Sequence, residues 1–323
     1  MRSRCPLVGL AAAGVAASLT VLTVQASAAA TAAVTVSADP APTAYVANSG
    51  ASTVEAIDTA TNAVIATIKV GFNTTEIVIT KDGTTAYALS ANCGACMTAD
   101  VNHYGIYPIN TATNEPGKVI DPAATMIALD PNGQLLYALN GGSDTVTPIQ
   151  VATNTAMKPI KVSGSPTSIA FTPKGRFAYI TTASPGTVVS INTGNRKVRT
   201  PIKIGGDPTE ITLSPSGELG FVIDSGHVIQ IDTAVNRSEK PIVAADYVVI
   251  PHSGGFGLAL TTSSVIPLPF GSSPDAVAFT PGGTTAYVTN VGDDTVTPID
   301  VATGQAEAPI KVGPAPDAIA VTP

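Results

Sequence analysis

Tryptophan is absent from the 323 residues, and aromatic residues make up only 5%. That leaves few flat surfaces on which nucleobases or sugar rings could stack. Charge is scarce as well, at 12% of residues, and the 16 basic residues are outnumbered by 23 acidic ones for a formal net charge of -7. The acidic balance, with no basic stripe, disfavours nucleic acid and anionic membrane surfaces as partners, because both are held by clustered Lys and Arg. Three histidines and three cysteines leave little for metal or nucleophilic chemistry. No G-x-S-x-G elbow, phosphate-cradling glycine loop or H-E-x-x-H pair occurs. No cofactor is expected, and the balance of the composition is against an enzyme.

The first 30 residues differ from the rest. Arg2 and Arg4 precede an apolar run over residues 7–24, which ends in Ala26-Ser27-Ala28 and Ala29-Ala30. A basic start, an apolar middle and small residues at A-x-A sites predict a secretory signal peptide cleaved after Ala28 or Ala30. The expected location is therefore extracellular or at the cell surface, with no membrane insertion after cleavage. Residues 31–42 read as a flexible lead-in, and 43–323 as a single domain.

That domain is one motif repeated. Tyr45, Tyr87, Tyr137, Tyr179, Phe221, Phe256 and Tyr287 each open a short β-prone run, at spacings of 42, 50, 42, 42, 35 and 31. Each unit holds four such runs rich in Val, Thr, Ile and Tyr, separated by Asn, Asp and Gly clusters suited to tight turns. Four strands per period of about 42 residues is the pattern of a β-propeller, in which each unit forms one blade. The tyrosines then belong to the blade core. Asp58, Asp232 and Asp300, each opening a hairpin, are turn formers rather than catalytic carboxylates. Seven aromatics predict seven four-stranded antiparallel blades, the sixth being the least regular. The chain opens its repeats with a second strand and ends just after a first strand. The segment 317–321 is therefore expected to complete the first blade and close the ring, removing two exposed edges.

Tyr287-Val288-Thr289-Asn290 is the tetrapeptide of the YVTN β-propeller repeat family, with echoes at Tyr45-Val46-Ala47-Asn48, Tyr137-Ala138-Leu139-Asn140 and Tyr179-Ile180-Thr181-Thr182. From about Thr43 onward the chain resembles this family, and in particular its exported YncE-like and surface-layer-type members. The resemblance implies a seven-bladed propeller outside the cytoplasm. It carries no catalytic residues to transfer.

Two regions carry candidate chemistry. The second unit contains the one insertion, with Asn92-Cys93-Gly94-Ala95-Cys96-Met97 running on to His103. In an oxidising compartment Cys93 and Cys96 read first as a disulfide shaping this loop. A soft-metal site from Cys93, Cys96, Met97 and His103, a redox pair and free thiols remain open as alternatives. The second region is the channel mouth, where Glu76, Glu210, Asp275 and Asp317 stand just before the apolar part of the inner strands. They could bind a cation or cationic ligand, or form only a solvated acidic rim. The function expected is a non-catalytic binding or cell-surface interaction module, monomeric, with an unknown extracellular or cell-envelope partner. The alternatives are a lactonase- or lyase-like propeller holding a metal in its channel, and a metal or redox accessory protein using the Cys93 loop.

Overall fold

The computed structural model describes residues 42–90, 104–120, 123–214, 216–224, 227–242, 247–249, 258–260, 274–300 and 305–323. Every element among them is a β-strand, and all pairings are antiparallel. Six sheets have four or five strands, and one has two, Tyr247–Val249 with Leu258–Leu260. The sheets are numbered here in chain order from the one containing Tyr45, which makes the two-stranded sheet the sixth. The fold is a β-propeller of antiparallel sheets. Phe256, assigned by the sequence to the sixth unit, lies outside the described residues.

In each sheet the alternation of the repeat becomes a packing pattern. Tyr45, Tyr87, Tyr137, Tyr179 and Tyr287 are at most 1% exposed, each in the second strand, packed against apolar residues of an adjoining sheet. Burying such a side chain contributes about 1.5–3 kcal/mol. The inner strands Pro316–Val321, Thr74–Ile79, Met126–Leu129, Pro166–Phe171 and Pro208–Leu213 follow one another around the axis. The hairpin turns are also as predicted: Asp58 Oδ1 accepts from Ala60 and Thr61 N–H, and Asp232 Oδ1 from Ala234 and Val235 N–H. These carboxylates are occupied by backbone geometry.

The ring closes where the sequence places the closure. Strand Pro316–Val321 pairs with Thr43–Asn48 in the register Ala44↔Val321 to Asn48↔Pro316, so the first and last strands of residues 43–323 share one sheet. One feature departs from the sequence reading. Three sheets split their outermost strand in two around a proline, as in Gln305–Ala306 and Ile310–Lys311 around Pro309. Proline donates no ladder bond, so the strand breaks there.

Adjacent sheets are bolted together by tyrosine hydroxyls. Tyr45 Oη donates to Asn114 Oδ1 at 2.6 Å, Tyr87 Oη to Asn154 Oδ1 at 2.6 Å and Tyr287 Oη to Asn62 Oδ1 at 2.7 Å. Each acceptor asparagine sits in the third hairpin of the next sheet with φ of 53° to 58°, a left-handed conformation that Asn tolerates better than other side chains. In the fourth sheet the same hairpin position is Arg196, with φ 59°. The hydroxyl that should meet it, Tyr137 Oη, is buried with no hydrogen-bond partner. Replacing Arg196→Asn is expected to supply the missing acceptor and relieve the backbone strain, stabilising the fold by about 1–2 kcal/mol. Chemical denaturation of the two proteins measures this. An unchanged or lowered midpoint would show that Tyr137 is satisfied in another way.

Candidate functional site

Because strands alternate in direction, the connections from second to third strand and those leading into each inner strand lie at one end of the sheets. The Pro-x-Gly and Asp-x-Ala-Thr hairpins lie at the other. The predicted mouth residues belong to the first end. There the ladder shifts register in five of the inner strands, between Thr74 and Glu76, Pro166 and Ser168, Pro208 and Glu210, Pro274 and Val277, and opposite Pro316. A β-bulge bends the strand and re-aims the side chains beside it. The residues chosen from the sequence therefore flank a recurring backbone irregularity, which sequence periodicity alone does not reveal.

Of the predicted mouth residues Glu76 turns sideways to the next inner strand, and two neighbours of such residues, Thr167 and Ser168, do the same. Ile127 N–H donates to Glu76 Oε2 at 2.6 Å, across the seam between the second and third sheets. At the equivalent seam between the fourth and fifth sheets, Ile211 N–H donates to Ser168 Oγ at 3.4 Å, and Thr167 Oγ1 donates to the Pro208 carbonyl at 2.8 Å. Glu55 Oε2 accepts from Gly313 N–H at 2.9 Å in the first sheet. Burial pushes the Glu76 carboxyl up to about 8, although the Ile127 N–H pulls it back down. At neutral pH Glu76 is thus mainly protonated. Desolvation also raises the Glu210 carboxyl, on a residue that stands exposed. Asp317 is partly buried at its own register shift. The Asp275 side chain lies outside the described residues, as do Cys93, Cys96, Met97 and His103, so the disulfide and soft-metal expectations fall outside this description.

A ring of polar residues, all buried except the half-buried Asn140, escaped the sequence reading. The last residue of each complete second strand is polar: Asn48, Ser90, Asn140, Thr182, Asp224 and Asn290. Asn290 is fully buried at the end of strand Thr285–Asn290, donating through Nδ2 to Thr297 Oγ1 at 2.9 Å and Thr295 Oγ1 at 3.1 Å. Asn48 Oδ1 and Asn290 Oδ1 have no protein partner. Asp224 Oδ1 accepts from Asp207 N–H at 2.7 Å, and its carboxylate packs so closely on Gly206, φ +57°, that a Cβ there would stand 2.1 Å from an oxygen. Only glycine suits that spot. The available signal was the polar fourth residue of the segments opened by Tyr45, Tyr87, Tyr137, Tyr179, Phe221 and Tyr287.

The mouth thus combines a protonated carboxyl, a more exposed carboxyl and a belt of buried amides and hydroxyls. Among the described residues no three His, Cys, Asp or Glu side chains come together as metal ligands. A cleft of about 510 Å³ lies away from the mouth, at the outer seam of the fourth and fifth sheets, lined by Val198, Arg199, Thr200, Pro201, Val235 and Asn236.

No family model matches the chain, and no curated relative matches it. Solved structures do. The periplasmic gluconolactonase of Pseudomonas aeruginosa is similar over 87% of this chain and 99% of its own, with a TM-score of 0.62 at 16% identity. A protein from Lactobacillus plantarum matches over 87% and 99%, with a TM-score of 0.63 at 15% identity. The dihydro-heme d1 dehydrogenase NirN matches over 88% and 76%, with a TM-score of 0.57 at 13% identity. At such identities the likeness shows a shared propeller fold.

Proposed function

We propose that this chain is an exported, non-catalytic binding module of the YVTN type, which presents a ligand-contacting face at the mouth of its ring. Export is supported by the leader-like residues 1–30, and the family by the Tyr-Val-Thr-Asn echoes. One observation carries the non-catalytic reading: the mouth side chains Glu76, Ser168 and Thr167 are engaged in bonds between neighbouring inner strands. They stiffen a frame and do not converge on an open reaction centre. Loops held by a rigid scaffold are the usual place for recognition. On this reading the partner touches Glu210, Asp275, Asp317 and the Cys93 loop.

A second reading is favoured by a specific observation. Glu76 holds a proton near neutral pH, as a general acid would, and a gluconolactonase shares the fold. A single comparison separates the two. Purified protein is assayed for opening of a sugar-acid lactone with and without added divalent cations, and tested for retention of proteins from a cell-envelope extract. The binding module is expected to leave the lactone at its spontaneous rate and to retain a partner. Shortening residues 91–105 together with Glu210→Gln should abolish retention, whereas Asp82→Ser with Lys174→Ser at the opposite end should not. Cation-dependent lactone opening lost in Glu76→Gln would establish the enzyme instead.

A further inference from the structure

The chain as a whole is acidic, yet its charge is unevenly placed. Between Asp144 and Asp207 stand eight of the 16 basic residues and no Asp or Glu. That segment builds the fourth sheet, Pro166–Phe171, Phe177–Thr182, Thr187–Asn192, Lys197–Val198 and Ile202–Lys203. Four of the eight meet at one end of it. Phe177 and Lys197 pair with Asn192 from either side. The guanidinium carbons of Arg176 and Arg199 lie 5.4 and 5.2 Å from the centre of the Phe177 ring. Thr193 Oγ1 donates to the Arg176 carbonyl at 3.1 Å, which holds the hairpin carrying Arg196 against the turn before Phe177. Arg176, Arg196 and Lys197 are exposed and Arg199 is half-buried. Among the described residues no ion pair engages any of the four. Asp232, in the adjoining hairpin of the fifth sheet, is turned to its own backbone.

This patch adjoins the cleft at the outer seam of the fourth and fifth sheets, and Arg199 belongs to both. Its backbone place is fixed by the repeat. Gly117, Met157, Arg199 and Glu307 each donate N–H to a third-strand carbonyl, of Pro108, Pro148, Ser190 and Pro298 in turn. The frame is constant while the side chain runs from none to either sign of charge, which is how a rigid scaffold displays recognition residues. The seam is also wired differently here. Ser190 Oγ donates to Asn236 Oδ1 at 3.1 Å, the oxygen that a tyrosine hydroxyl takes at other seams, and Asn236 Nδ2 donates to the Thr200 carbonyl at 2.8 Å. Tyr179 Oη donates to the Thr233 carbonyl at 3.0 Å. Burial raises this hydroxyl, and the Arg199 guanidinium beside it works the other way. Asn236 is thus a fixed polar wall of the cleft. The remaining walls include open apolar ones, Val198 at 41% and Val235 at 63% exposure, together with Pro201.

We propose that this cleft and the cationic end beside it bind an acidic peptide segment of a partner protein. An aliphatic side chain of the segment lies between Val198 and Val235, and its carboxylates meet Arg199 and then Lys197, Arg196 and Arg176. Three observations choose that occupant. Unpaired guanidinium and ammonium groups complement carboxylate or phosphate. The apolar walls give a phosphate chain nothing to bury, and the Phe177 ring, on which a base could stack, is already covered by two guanidinium groups. The cations also extend beyond the cleft, over more surface than one small anion covers. The site lies away from the mouth and does not depend on which reading of the mouth is correct.

Fluorescence anisotropy of the whole protein with a labelled peptide alternating Glu and Val tests it. Wild type is expected to bind with a Kd of about 10–100 µM, as suits a small exposed site, and more weakly as salt is raised. Peptides with Gln for Glu, or with Ser for Val, should each lose about tenfold or more in affinity. Lys197→Glu, Val235→Ser and Arg199→Gln should each cost as much on the protein side. Lys197 and Val235 are exposed, so their variants should melt as wild type does and keep the test should Arg199→Gln fold poorly. Absence of binding up to about 1 mM, or binding that the folded variants leave unchanged, overturns the proposal. Polyphosphate or single-stranded DNA binding more tightly than the peptide, with no loss in Val235→Ser, would assign the surface to a phosphate polyanion and overturn it equally.

Discussion

A chain lacking residues 313–323 is expected to lose its cooperative unfolding transition and to aggregate. The segment supplies the inner strand of the first sheet, paired with Thr43–Asn48 through five residues on each side. It is tied further by Ser49 N–H to Ala315, Thr322 N–H to Thr43, and Thr43 N–H to Thr322 Oγ1. Ile319 joins Ala44, Val46, Tyr287 and Val312 in the cluster that unites the first and seventh sheets. Deletion uncovers that cluster and frees the inner edge of Thr43–Asn48, leaving the inner strands on either side without their neighbour. Each apolar side chain uncovered costs about 1.5–3 kcal/mol, and a domain holds only about 5–15 kcal/mol in all. Thermal unfolding followed by circular dichroism, with light scattering, reads the outcome. A truncated protein that melts as sharply and as high as the full chain would mean that the remaining pairings, Tyr287 to Asn62 among them, close the ring unaided.

The second large effect is a pH dependence centred on Glu76. Its carboxyl titrates near 4.5 in an unfolded chain and near 8 in the folded one. Below about 4.5 both states hold the proton, and Glu76 imposes no penalty. Between 4.5 and 8 the folded state holds a proton that the unfolded state releases, so stability falls as pH rises. Above 8 both are ionised, and the full cost of the desolvated carboxylate is present. Glu76→Gln keeps an oxygen for the Ile127 N–H and removes the titration. It should match wild type at pH 5 and exceed it at pH 9 by about 2–4 kcal/mol, allowing for water at the mouth. Glu76→Leu removes the acceptor too, and leaving the Ile127 N–H unpaired should cost about 1–3 kcal/mol at pH 5. Denaturant midpoints at several pH values give the comparison. Parallel profiles for wild type and Glu76→Gln would show that the carboxyl titrates in the ordinary range.

Local chemistry made much of this protein legible. The tyrosine spacing, the two-residue alternation of Tyr-Val-Thr-Asn and the Asx turns at Asp58 and Asp232 depend on neighbours a few positions away, and each recurs in several repeats. Ring closure followed from counting strands at the two ends. What the tertiary structure decided lies between repeats. Tyr45 finds Asn114, 69 residues on, and Tyr287 finds Asn62, 225 residues back. Arg196 matters only because Tyr137 of another sheet lacks its acceptor. Glu76 reads in sequence as an acidic rim residue, but the strand carrying Ile127 covers it and turns it into a mainly protonated link of the inner ring. The reason is physical: turn geometry and strand alternation are set by adjacent residues, whereas desolvation, hydrogen-bond satisfaction and the freedom of an edge depend on what the rest of the chain brings alongside.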